Sequence, residues 1–172
     1  MKIRELYGII DSFCPKTLSC SWDNDGIMVS PSLDAEVKRV LLSLDATYEA
    51  VSYAADYGYD TLITHHPMLF RGAKSVSETT LSGRRIIRAL SSGVTVMSFH
   101  TRLDACEGGV NDELMNRLGF TSTGAFGDEE SPALARIADI PPMTAREFAC
   151  LVRNKLGCTA VRLNGKSDAV LH

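Results

Sequence analysis

Three apolar runs, each followed by residues at helical spacing, constrain what this chain can fold into. Val37 to Leu44 ends at Asp45, Asp60 to Thr64 runs straight into His65, and Val94 to Phe99 delivers His100. Mostly apolar runs of this length suit strands buried on both faces of a parallel sheet. Between the first two, Thr47 reads as the cap of a helix carrying Val51, Ala54 and Ala55, closed by Gly58. Between the second and third, Leu81, Ile86, Ile87 and Leu90 form a helical face that stops at Gly93. After Gly108-Gly109, Val110, Leu114 and Leu118 make another, ending at Gly119. Strand alternating with helix predicts an α/β fold, a layered and mostly parallel sheet flanked by helices.

The flanks fit around that unit. Ile3, Leu6, Ile10 and Phe13 share one face of an amphipathic helix that Pro15 ends. Asn24, Asp25 and Gly26 supply turn chemistry before a short strand, and Asp23 and Asp25 read as part of that turn because further calcium ligands are missing. Residues 71–80 and 121–133 read as loops, and Leu134 to Ile140 as a candidate strand. Thr144-Ala145-Arg146-Glu147 is a capping box ahead of Phe148, Leu151 and Val152, with Gly157 closing the helix. Thr159 to Leu163 reads as a short strand, and Ala169 to His172 as the start of another. At 172 residues the expectation is a single domain over 1–172.

Composition excludes several functions. With 45% hydrophobic and 23% charged residues and a net charge of −3, there is no electrostatic case for nucleic acid or an anionic membrane. No apolar run approaches the roughly 20 residues of a membrane span. The N-terminal segment carries an acidic residue early and lacks the apolar stretch of a signal peptide, and five scattered cysteines form no framework, so a cytoplasmic protein with reduced thiols is expected.

The chemistry collects at strand ends, where α/β sheets bind ligands. His65, His66 and Asp104 combine imidazole and carboxylate, the donors that suit zinc, iron, manganese or nickel. Pro67 forces residue 66 to be extended, which frees the paired histidines from strict strand alternation. His100 reads as a residue that holds a ligand in place, and Asp45 as a cap of the following helix. Arg71 and Lys74 could meet a phosphate but read by default as a solvated loop. No serine elbow, Walker loop or dinucleotide fingerprint appears, and nothing marks Cys106 as a nucleophile.

Four separated motifs then appear in order. They are Trp22-Asp23-Asn24-x-Gly26, the stretch from Leu41 ending Leu44-Asp45-Ala46-Thr47, Ile63-Thr64-His65-His66-Pro67, and His100-Thr101-x-Leu103-Asp104 running on through Gly108-Gly109-Val110-Asn111-Asp112. Together they resemble the Nif-three-like dinuclear metal-centre family, whose members are often called GTP cyclohydrolase I type 2 homologues. The match is close up to about residue 120 and loose over 121–172. The resemblance implies a homo-hexamer with a two-metal site. His65, His66 and Asp104 would be its first ligands, with Asp104 bridging. It also implies a histidine and a glutamate near the family's C-terminus, a pair these residues lack, so the chain is expected to be a member without that closing segment. It would expose the sheet edge where a further strand should pair. The implied activity is two-metal hydrolysis of a small nucleotide-like molecule, and the alternative is a non-enzymatic metal-binding or protein-interaction scaffold.

Overall fold

The computed structural model describes residues 1–127 and 133–171, in two compact units, Met1–Cys106 and Glu107–His172. The first unit is built on a four-stranded sheet. Its strands are β1 (Gly26–Val29), β2 (Val40–Ser43), β3 (Thr61–Thr64) and β4 (Thr95–Ser98), in the order β1-β4-β3-β2. β2 pairs with β3, and β3 with β4, in parallel, while β1 is antiparallel to β4. The helices α2 (Tyr48–Asp56) and α3 (Leu81–Ser91) are the two crossovers, and α1 (Ile3–Phe13) precedes the sheet.

Strand alternation divides the core. Leu62 and Val96 turn to one face, where Val51 and Ala54 of α2 and Ile86 and Ala89 of α3 cover them. Met97 and Phe99 turn to the other, with Ile63 and Ile27, and meet Ile3, Tyr7 and Ile10 of α1. The expected α/β architecture is therefore present.

One strand departs from expectation. β2 is not buried on both faces: Leu42 is 73% exposed and Leu44 just beyond it 62%. β2 forms the sheet edge, and α1 packs over β1, β4 and β3 but not over it. An apolar hollow of about 320 Å³ remains beside α1, lined by Ile10, Phe13, Leu42 and Ile63 and reaching His65.

The chain between β3 and α3 lies tightly on the helix start. A Cβ added to Gly83 would stand 2.0 Å from the Ser77 carbonyl oxygen and 2.6 Å from its nitrogen. Helix propensity alone favours Gly83→Ala by about 1 kcal/mol. The backbone clash outweighs it, so Gly83→Ala is expected to destabilise by about 1–3 kcal/mol in urea denaturation. A stabilised variant would show that the 77–80 segment yields freely.

In the second unit, α5 (Val110–Leu118) ends on left-handed Gly119, and α6 (Ala145–Leu156) carries the expected capping box of Thr144 and Glu147 and ends on left-handed Gly157. β5 (Gly124–Phe126) pairs antiparallel with β6 (Ala135–Ile137), so the 121–133 segment is not all loop; its residues 128–132 lie outside those described. β7 (Met143–Thr144) pairs with β8 (Val170–Leu171), the strand expected from Ala169, of which His172 is outside the description. Thr159 to Leu163 forms no strand. It is exposed throughout and finds no ladder partner among the described residues.

Candidate metal centre

The three parallel strands end side by side, and backbone bonds lace the ends together. His66 N–H donates to the Leu44 carbonyl at 3.0 Å and Phe99 N–H to the Thr64 carbonyl at 2.9 Å. The buried Thr64 hydroxyl donates to the His66 carbonyl at 2.9 Å and lies 2.9 Å from the Ser98 hydroxyl, setting the path of the chain as it leaves β3. Beyond β4 the chain enters a short helix, α4 (Thr101–Ala105). Asp104 therefore stands one helical turn after His100 rather than at a strand end.

His65, His66 and His100 are each oriented through Nδ1. That of His65 lies 3.1 Å from the Phe99 carbonyl, an acceptor only, so this nitrogen carries the proton. Nε2 then presents its lone pair toward Asp104, whose Oδ1 is 3.7 Å away. His66 Nδ1 donates to Asp45 Oδ1 at 2.8 Å, and His100 Nδ1 to Asp23 Oδ1 at 3.1 Å. A carboxylate or carbonyl on the far nitrogen is the usual partner of a metal-binding imidazole. The ring centroids lie 5.0, 5.2 and 5.7 Å apart, and ligand atoms of His65, His66 and His100 all fall within 4.8 Å of one another.

Burial shifts both His65 and Asp104 toward their neutral forms. Burial lowers His65 below the ordinary imidazole value of 6.5, despite the opposing pull of Asp104, so the ligating free base persists. Burial likewise raises Asp104 above the usual carboxylate range, only partly countered by the neighbouring histidines.

Behind the histidines lies a carboxylate layer. Burial would raise Asp23, but hydrogen bonds from the Thr101 hydroxyl (2.6 Å), His100 and the Thr101 amide (3.1 Å) outweigh it and hold the group below the usual carboxylate value of 3.8. A carboxylate lowered by folding contributes stability that is complete above pH 3.8 and lost as pH falls through its folded pKa. Asp23→Asn is thus expected to cost about 1.5–3 kcal/mol at pH 7, the range for charged hydrogen bonds. The gap to the unmodified protein should close below pH 3.8 in denaturation measurements; a gap constant down to pH 3 contradicts this role.

Asp25, with a fully buried side chain, accepts from the His100 amide, Arg102 Nε, Lys16 Nζ and the Ser19 hydroxyl. Arg102 is itself fully buried and also donates to Asp11, the Cys14 carbonyl and Tyr7.

Two sequence expectations change. Asp45 is not the cap of α2: Thr47 takes that place by accepting from the Ala50 amide at 3.1 Å, and Asp45 orients His66 instead. Asp23 and Asp25 are more than a turn, since they hold His100 and α4. His100, expected to hold a ligand in place, stands in the histidine cluster with its own orienting carboxylate. Cys106 is buried beside Cys14, whose thiol is pushed up to about 12 by burial and by that neighbour, which suits an inert pair.

A family model for Duf34/NIF3 (NGG1p interacting factor 3) matches residues 1–172. The chain belongs to the Duf34/NIF3 family. It is 32% identical to a Clostridium perfringens protein named GTP cyclohydrolase 1 type 2 homolog, over 99% of this chain and 66% of that protein. It thus spans just under two thirds of that curated relative. A crystal structure of a Staphylococcus aureus hypothetical protein superposes with a TM-score of 0.85 at 27% identity, covering 99% of this chain and 69% of that one. A Bacillus cereus protein related to NIF3 shares the fold, with a TM-score of 0.80 at 19% identity over 99% of this chain and 74% of its own. Among the described residues no helix is long and apolar enough to cross a membrane.

Proposed function

We propose that this Duf34/NIF3 chain binds divalent metal through His65, His66 and Asp104, with His100 beside them. One observation carries the reading. His65 Nδ1 is committed to the Phe99 carbonyl, leaving Nε2 and Asp104 Oδ1 facing each other across 3.7 Å. An ion about 2.0–2.2 Å from each atom fits that gap. Carboxylates on the far nitrogens of His66 and His100 support the same use of their rings. Asp104 would be the residue to help hold a second ion, as the family resemblance implies, and that ion belongs to the same proposal.

The chemistry follows from what surrounds the ions. When bound, a divalent ion supplies Lewis-acid polarisation of a substrate oxygen. Asp45 and Asp23 keep the imidazoles turned inward, Phe99 and the buried face of β4 limit water behind them, and the half-exposed His66 leaves one side open. The name carried by the curated relatives supports hydrolytic chemistry on a small nucleotide-like molecule. A homo-hexamer is proposed with it, and light scattering of the purified protein measures it directly.

Titration with zinc or manganese tests the binding. Saturable uptake is expected, and affinity should fall as pH drops through the pKa of His65, which burial holds below 6.5, because protons then compete for its ring nitrogen. Absence of saturable uptake by either ion at pH 7.5 overturns the proposal.

A further inference from the structure

A second cavity opens beside the histidines, of about 490 Å³, between the 67–75 segment and the start of α3. Arg71, Lys74, Ser75, Thr80, Ser82 and Arg85 line it, and no carboxylate does. Three cations therefore converge in a chain whose net charge is −3. Among the described residues none of the three makes an ion pair, unlike Arg88, Arg102 and Arg117.

Arg85 is the informative member. Its Nη1 donates to the Ala46 carbonyl at 3.0 Å, while its Nε is buried and has no hydrogen-bond partner. A guanidinium partly withdrawn from water without a counter-charge is costly, and an anion in the cavity would offset that cost. The helix adds to it. α3 has 11 residues, its N-terminus faces the cavity, and Ser82 in its first turn brings a hydroxyl. The walls are built: the 77–80 segment lies on Gly83, and Asn24 Nδ2 donates to the Leu69 carbonyl on the opposite side.

We infer that this cavity binds the phosphate group of a phosphorylated small molecule, held by Arg71, Lys74 and Arg85. Its position gives the direction of the rest of the ligand. Pro67, which begins the lining, directly follows His66, and Ala46, which tethers Arg85, directly follows the Asp45 that orients His66. A ligand anchored here extends toward the open His66 side of the metal centre. The anion site stands on its own residues, whereas its serving the same ligand as the metals rests on the function proposed above.

Pyrophosphate is titrated calorimetrically into the full chain with a chelator present and at low ionic strength, so that metal contributes nothing and screening is small. Saturable binding is expected. It should weaken at least about tenfold per charge removed, the 1.4 kcal/mol of one charge-assisted contact, in Arg85→Met and in the exposed double variant Arg71→Ala/Lys74→Ala. Lys38→Ala, which removes an exposed cation outside the cavity, should leave it unchanged. GTP is the second probe: equal dependence on the three cations assigns the site to a nucleotide's phosphates, and pyrophosphate binding alone assigns it to a free phosphate anion. No saturable binding of either, or binding that the folded double variant retains in full, overturns the inference. Anion binding that persists where metal uptake fails would leave this site standing and remove the metal reading, and the reverse result would do the opposite.

Discussion

Arg102→Met is expected to cost about 3–5 kcal/mol in urea denaturation, the largest loss among single substitutions in the first unit. Its guanidinium is fully buried, sits 4.6 Å from the Phe99 ring centroid, and answers the fully buried Asp25 at 3.2 Å and Asp11 at 2.7 Å. Methionine keeps much of the volume but leaves Asp25 a buried charge short of its closest buried partner. Breaking such a pair costs that much because the stranded ion is desolvated without compensation. Lys16 and the Ser19 hydroxyl remain on Asp25, which places the value toward the lower end. Pairing the change with Asp25→Asn removes the stranded charge, so the double variant should be less destabilised than the sum of the singles. A single variant within about 0.5 kcal/mol of the unmodified protein would mean that the network carries no net stability.

His65→Ala is expected to weaken zinc binding by more than about 100-fold. Loss of an orienting partner alone typically costs 10–100-fold, and this substitution removes a donor. The imidazole is 18% exposed and its Nδ1 is fixed by the Phe99 carbonyl, with Nε2 facing Asp104. Asp45→Asn, which removes only the charge behind His66, should fall within the 10–100-fold range. Equal affinity in His65→Ala and the unmodified protein, by competition with a chromophoric chelator, would sink the assignment of this residue. Circular dichroism on both variants separates lost binding from lost fold.

How far the chain could be read in advance depended on the range of the interaction. His65 and His66 were legible because an apolar run stops there and Pro67 fixes the backbone, all within neighbouring residues. Asp104 was legible by its spacing from His100, although it belongs to α4 and not to a strand end. Asp45 resembles a cap because it is a carboxylate just before a helix; Thr47, read as the cap from the sequence, fills that role, and only the fold shows that Asp45 turns to His66. Asp23 finds His100 across 77 residues, and no local pattern encodes such a pairing. β2 carries the composition of a buried strand, but burial depends on whether a helix covers it, and α1 stops short. Thr159 to Leu163 has strand-like residues and no neighbouring ladder among the described residues, so propensity alone did not make it a strand.

The bonds that orient the three imidazoles also say something about time. They close loops of very different size: 21 residues for His66 with Asp45, 34 for His65 with Phe99, and 77 for His100 with Asp23, with Arg102 reaching Asp11 across 91. Loop-closure entropy separates the shortest from the longest by only about 1.3 kcal/mol. Contacts so distant in sequence nevertheless slow folding, because the closure entropy of the intervening chain must be met before they reward it. The nascent chain therefore offers histidines but no arranged set of them, and the metal site proposed above would take shape only once β4 and α4 are docked.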